Sequence, residues 1–409
     1  MTTMVKRQFR SRGSLAGVAA MLGLWACSAA FAADDVKAAA TAAKPAATDA
    51  KALKDRTIGY VLTDLMWANY ETPGGKTECP QGLNTLGPRE QFEILYPKNK
   101  PRKLIDTELK FESATWYPTT QPDQFPFHEA VGPAYGLNLD GKVGPKDFTD
   151  PDGNPGIDNQ LYRAIGCLVG FRKDGLQYIF LKMAITKERY TRLMIELSDV
   201  DDLVNDPHVK VTIYRGMDRL LTDATGEKVV PGGSQRIDIR WGKEFMQQLD
   251  GEIVNGVLTT QPVAQMLIPW DSNTATPTEQ VIRDMRLRLK ISPTGAQGLI
   301  GGYADVETFY KANIRSDSTH HLSNGQISAP SLYRALRRLA DAYPDPATGA
   351  NTAISSALSA KFTQVYIEHP LGEGAKAALL RALAQRAATQ AVAQTSTTPD
   401  SGGKQNAGH

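Results

Sequence analysis

Alternation with a period of two residues recurs along this chain and constrains its fold more than any other feature. In 192–198, Leu193, Ile195 and Leu197 face one way, and Arg192, Met194 and Glu196 the other. Val209, Val211 and Ile213 alternate with Lys210, Thr212 and Tyr214. Ile237 and Ile239 alternate with Arg236, Asp238 and Arg240, and Met285, Leu287, Leu289 and Ile291 with Arg286, Arg288 and Lys290. Such a pattern needs a sheet with one face covered by a core and the other wet. Residues 57–62 read as a first strand. Asp-Gly at 250–251 and Asn-Gly at 255–256 flank Glu252-Ile253-Val254 as hairpin turns would. Within the β-rich part, helical spacing appears in 161–169, with Asn159 as N-cap, and in 331–342, stopped by Pro344. The expectation is a mainly β domain: an antiparallel β-sandwich of jelly-roll or lectin-like form, with a few short helices and long loops.

The termini predict an exported protein. Lys6, Arg7, Arg10 and Arg12 precede an apolar, small-residue run over 15–30, too short to span a bilayer, and Ala30-Phe31-Ala32 offers a cleavage site. Residues 1–32 therefore read as a signal peptide, giving a periplasmic, outer-membrane or extracellular location. Leu24-Trp25-Ala26-Cys27 competes as a lipidation signal that would place a lipid anchor on Cys27. Residues 33–55 form a low-complexity Ala/Lys linker, 56–370 the β-rich folded domain, 371–394 an Ala-rich helix with Leu379, Leu380 and Leu383 at helical spacing, and 395–409 a disordered tail. Beyond the leader no apolar run reaches transmembrane length. Of three cysteines, Cys79 and Cys167 remain after the leader; in an oxidising compartment they are expected to pair, closing a long loop worth roughly 4 kcal/mol. The balance of 46 basic and 44 acidic residues argues against a nucleic-acid partner.

Hard oxygen ligands concentrate in 137–160 among glycines and prolines. Asn138, Asp140, Asp150, Asp152, Asn154, Asp158 and Asn159 are the candidate metal ligands, and Ca²⁺, which takes about six to eight oxygens, is the candidate cofactor. The run from Asp150 departs from an EF-hand, with Pro155 where the turn glycine should stand and Leu161 where a bidentate Glu is needed. The same residues also serve plain tight turns, so a solvated turn cluster is the competing reading.

Catalytic patterns are sparse. The chain has no G-x-S-x-G, H-E-x-x-H or phosphate-binding glycine loop with Lys. His320-His321 with Asp317, and His128-Glu129, are isolated histidine candidates without ligand spacing. Asp238 and Glu252 could pair as glycosidase carboxylates if the fold brought them together. Trp67, Tyr70, Trp116, Tyr117, Phe125 and Phe127 could clamp loops, pack in the core or form a sugar platform. In general pattern the chain is similar to carbohydrate-binding and lectin-like sandwiches, a likeness that transfers no individual residue. The reading that results is a Ca²⁺-stabilised binding module of the cell envelope, with a glycan or another envelope component as ligand and no catalytic residue. The alternatives are a sandwich-fold polysaccharide hydrolase and a structural subunit of an envelope assembly docking through 371–394.

Overall fold

A computed structural model describes residues 53, 55–84, 117–120, 127–187, 192–240, 245–270, 278–313 and 329–370. The strands in chain order are β1 (Ile58–Trp67), β2 (Phe148–Thr149), β3 (Pro155–Ile157), β4 (Leu193–Ser198), β5 (Asp206–Arg215), β6 (Gly233–Arg236) and β7 (Gln247–Val254). They continue as β8 (Val257–Thr260), β9 (Val263–Trp270), β10 (Thr278–Ser292), β11 (Gly295–Asp305), β12 (Ala342–Pro344) and β13 (Asn351–Glu368). The α-helices are α1 (Gln160–Ile165), α2 (Leu176–Lys187), α3 (Val306–Asn313) and α4 (Ala329–Leu339).

The chain is mainly β, and its large sheet closes on itself. Hydrogen-bonded neighbours run β1-β4-β5-β7-β8-β10-β11-β13, and β13 pairs back to β1. Every pair in this ring is antiparallel. Eight strands following one another in chain order around a closed ring make an up-and-down barrel. The expected sandwich of two facing sheets is therefore corrected. Alternation states which side of each strand is buried, but not whether the last strand returns to the first, and here Gly59 pairs with Val365 and Trp67 with Leu358. Closure gives the ring strands partners on both sides and removes the exposed edges of an open sheet.

The alternating residues sort as the period requires. Tyr60, Leu62, Ile195, Val211, Leu249, Leu258, Leu287, Leu289, Ile300, Leu358 and Phe362 share one buried cluster that fills the ring. Lys210, Gln248, Asp250, Glu252, Thr259, Arg288 and Lys290 point outward and are exposed. A lipid-spanning barrel shows the reverse, an apolar band outside. No helix among the described residues is long and apolar enough to cross a membrane.

The two ends of the barrel differ. At one end the connections are short: 199–205, the Asn255-Gly256 turn and Pro293-Thr294. Asn255 (φ 51°) and Gly256 (φ 75°) take the left-handed conformation that this hairpin turn requires. Asp250-Gly251, by contrast, lies inside β7 opposite Val209 and Lys210 and turns nothing. At the other end stand the long excursions after Trp67, Arg215 and Asp305. Helices α1, α2, α3 and α4 arise from them, and Leu161, Leu181, Phe309 and Leu332 join the interior cluster. Trp67 lies against Phe171 (4.7 Å between centroids) and Trp270 (5.7 Å), and Phe171 stacks on Phe309 (6.2 Å), which ties the excursions after Trp67 and Asp305 to the end of β9. Residues 216–240 fold back instead, and Leu220 and Ile237 cover Val61, Met194 and Val365 on the outer face. The Ile237/Ile239 alternation therefore belongs to this cover: Ile237 makes an isolated bridge to Gly216, and Ile239 is exposed.

Candidate functional site

The Asp/Asn-rich segment folds into two turns flanking β3. In the first, Asn138 accepts from the Gly141 amide (2.7 Å) and donates to the Lys142 carbonyl (2.8 Å), while Asp140 accepts from the Lys142 amide (2.8 Å). Asp158 Oδ2 accepts from the Leu139 amide at 2.6 Å. Gly156, at φ 82°, lets this turn close, since a Cβ there would stand 2.7 Å from the Lys142 carbonyl oxygen. The second turn is the tip between β2 and β3. Its Asp150 accepts from the Asp152 and Asn154 amides and the Asn154 side chain at 2.8–2.9 Å. Burial works against the charge on Asp150, but the Asn154 side chain and these amides outweigh it and hold the carboxyl below its ordinary range. Asn159 caps α1, accepting from the Tyr162 amide as its position before the helix predicts.

Of the seven candidate ligands, Asn138, Asp140 and Asp158 thus share one turn, Asp150, Asp152 and Asn154 the other, and Asn159 serves the helix. Among the described residues no three His, Cys, Asp or Glu side chains are gathered as a metal cluster. The first turn is nonetheless electrostatically tense. Burial pushes the Asp158 carboxyl up to about 6, and the charges of Asp147 and Asp140 add to the push against the amides of Leu139 and Asp140. A carboxyl whose folded value exceeds the unfolded value of about 3.9 favours the fold when protonated. Its contribution is full below the unfolded value and is lost as pH rises through about 6. Asp158→Asn is accordingly expected to remove this dependence. After allowing for water at the rim, the variant should gain about 1 kcal/mol over wild type between pH 4 and pH 8 in urea titrations.

The segment is fastened to the outer face of β10, β11 and β13. Arg286 donates to the Leu139 carbonyl (3.1 Å), and Leu137 occupies the space over Gly301. The Gln160 amide donates to Ser355 Oγ (2.9 Å), which donates to Asp341 (2.6 Å). Beside this seam lie Tyr303 and Tyr343, edge to face at 5.9 Å. Burial, then the charges on Asp158, Asp341 and Asp140, push the Tyr303 hydroxyl up. Tyr343 donates to Asp284 Oδ2 (2.7 Å). Burial, with Asp284 adding to it, pushes the Tyr343 hydroxyl up to about 12. Arg283 lies over the Tyr343 ring (4.8 Å) and pairs with Asp305 (3.2 Å). Both Asp284 (φ 49°) and Tyr343 (φ 57°) adopt left-handed backbone, which costs roughly 1–3 kcal/mol each and collects at functional sites. Asp284 does so inside the bulge of β10 between Arg283 and Arg286. Arg283, Asp284, Arg286, Tyr303 and Tyr343 are half-buried, so the two rings and the arginines remain reachable from solvent.

The remaining sequence candidates are placed otherwise. Cys79 and Cys167 form the expected disulfide, with Cα atoms 5.7 Å apart. His128 is held structurally: its amide and carbonyl bond the Asn84 side chain at 2.7 Å, and Glu129 pairs with Arg338. Asp238 holds Arg240 and, through its amide, the Arg215 carbonyl. Glu252 lies beside Gly251, which pairs with Val209. Arg215 and Val209 are six residues apart on β5, roughly 20 Å of strand. Glycosidase carboxylates stand about 5–10 Å apart, so Asp238 and Glu252 are not brought together as such a pair. Trp67 is core, Phe127 packs against it, and Tyr70 lies beside Tyr135. Trp116, Phe125, Asp317, His320, His321 and 371–409 lie outside the described residues. Sequence reasoning missed the Tyr303–Tyr343 pair. Its available signal was a tyrosine after Gly301-Gly302 and another before Pro344, both breaking regular structure. Comparison with family models, curated proteins and solved structures gives no match.

Proposed function

We propose that the chain is a binding module of the cell envelope whose recognition surface is the half-buried Tyr303–Tyr343 pair with Arg283, Asp284 and Arg286. The ligand class is a glycan or a similar polyhydroxylated envelope component. Flat rings cover sugar faces, while arginine and carboxylate groups satisfy hydroxyls, a combination typical of such sites. One observation carries the reading: Asp284 and Tyr343 hold strained left-handed backbone and are hydrogen-bonded to each other beside an accessible aromatic pair. Ca²⁺ is proposed at the adjoining turn, where Asp158, Asp140 and Asp147 repel one another and a cation would relieve the repulsion. Proton and cation compete there, so Ca²⁺ affinity is expected to fall as pH drops through about 6.

A panel of envelope polysaccharides, titrated calorimetrically into the chain in calcium buffer, tests the module. Tyr343→Ala is expected to weaken the binding glycan at least about tenfold, or 1.4 kcal/mol, with little change in melting temperature. Equal affinity in wild type and variant would remove the surface from consideration. Calcium titration after chelator treatment tests the ion: a heat of binding lost in Asp140→Ala with Asp158→Ala supports it, and silence reduces the segment to its turns.

A further inference from the structure

Helix α2 is apolar on both sides. Tyr178, Leu181, Ala184 and Ile185 are buried, with Leu181 and Ile185 in the main core, and the Tyr178 hydroxyl bonds Asp64 of β1 at 3.2 Å. On the opposite side Leu176, Ile179, Phe180 and Met183 follow the i, i+3, i+4, i+7 spacing of one helical stripe. Ile179 is 40% and Met183 41% exposed, and Leu176 and Phe180 are half-buried. Other large exposed apolar residues, such as Val143, Ile239 and Val254, belong to separate elements. Lys182 stands at the side of the stripe, Lys187 ends it at the last residue of the helix, and Lys173 precedes it; all three are exposed, against Asp174 as the neighbouring exposed acid. Lys182 reaches across the Tyr178 ring at 5.8 Å, its stem lying along the helix.

We propose that this stripe docks α2 in the plane of an anionic lipid leaflet. A convex apolar stripe with lysines on its flanks matches what such a leaflet offers: acyl chains for Ile179, Phe180 and Met183, and phosphates for the ammonium groups of Lys182 and Lys187. Lysine stems let the charges rise to headgroup level while the apolar side chains sink below it. The surface is independent of the Tyr303–Tyr343 site, and neither proposal requires the other.

Sedimentation of the purified chain with phosphatidylglycerol/phosphatidylcholine vesicles, against pure phosphatidylcholine, tests this. The compared proteins share one N terminus, so any contribution of residues 15–30 cancels. Binding to anionic vesicles is expected to fall at least tenfold with Ile179→Asp plus Met183→Asp, and to weaken as salt rises. Lys182→Glu with Lys187→Glu, two exposed positions that leave the fold intact, should have a similar effect, and Val143→Asp none. Equal partitioning onto neutral and anionic vesicles, or binding unaffected by the lysine pair, overturns the proposal. So does a dimer in size exclusion that the Ile179/Met183 variant dissociates, which would assign the stripe to a second copy of the chain.

Discussion

Replacing Cys79 and Cys167 together by serine is expected to cost about 4 kcal/mol of stability and to lower the melting temperature by roughly 10 °C. The bond joins positions 88 residues apart, so its loss releases a long loop in the unfolded chain. The cluster around the bond comprises Ala130, Ala134, Phe148, Ile157 and Tyr162, with Tyr70 and Leu83 against it, small beside the barrel core. Cys167 directly follows α1 and the Gly166 cap, so the bond also anchors the helix that Asn159 starts and that holds Ser355 through Gln160. Scanning calorimetry with and without reductant checks the value, and reduced wild type should match the double variant. An unchanged melting temperature would mean that the cluster packs well enough alone.

The strands were legible where one face is core and the other water. Val209, Val211 and Ile213 in β5 and Met285 through Ile291 in β10 carry their burial in their alternation. In β4 the sequence alternates, but Met194 and Glu196 are buried too, Met194 beneath Leu220 and Ile237. The strand β13 escaped, although it is the longest, because Ala353, Ile354, Ser355, Ser356, Ala357 and Leu358 are buried consecutively. Covered on both faces, with α1 against the outside, it shows no period and uses small residues where the helix approaches. Ring closure was hidden for the same reason, since β13 is the strand that pairs with β1 and β11. The Asn159 cap and the disulfide were readable because each depends on local chemistry or on a count of two. The Tyr303–Tyr343 pair was not, because the two rings come from elements separated by α3 and α4, and only the register of β11 and β12 on β13 sets them side by side.

Closure also explains why the proposed recognition surface lies on the outer face. The ring interior is filled by apolar side chains from the strands, as in small barrels whose lumen holds no ligand. Polar chemistry is thereby pushed to the outer surface and to the excursions. The segment 137–160 brings its carboxylates to the one place where β10 bulges and turns Asp284 outward.

Arg172→Ala is expected to destabilise the chain by about 3 kcal/mol, the lower end of the range for breaking a buried ion pair. Arg172 Nη2 donates to Glu78 Oε1 at 2.7 Å, and Glu78 is fully buried. The guanidinium also reaches the carbonyls of Gly166 (2.8 Å) and Thr72 (3.1 Å), sewing three segments around the disulfide. The cost stays moderate because the Thr72 amide and hydroxyl still donate to Glu78, at 2.9 and 2.6 Å. The pH dependence decides the mechanism. In the wild type, burial works against the charge of Glu78, but Thr72 and Arg172 outweigh it and hold the carboxyl below its ordinary value. That contribution is present above the unfolded value of about 4.3 and is lost as pH falls through the folded one. Without Arg172 the burial cost is opposed by Thr72 and the Glu78 amide, and the carboxyl is expected to rise from its depressed value, so less stability is lost as pH falls. Urea titrations at pH 4 and pH 7 therefore test for a weaker pH dependence, which lost packing alone does not produce. Glu78→Leu with Arg172→Met should cost less than Arg172→Ala, since no buried charge is left without its partner. Their effects should also fail to add to those of the cysteine variants, because Arg172 Nη1 stands 3.9 Å from Cys79 Sγ within one shared cluster.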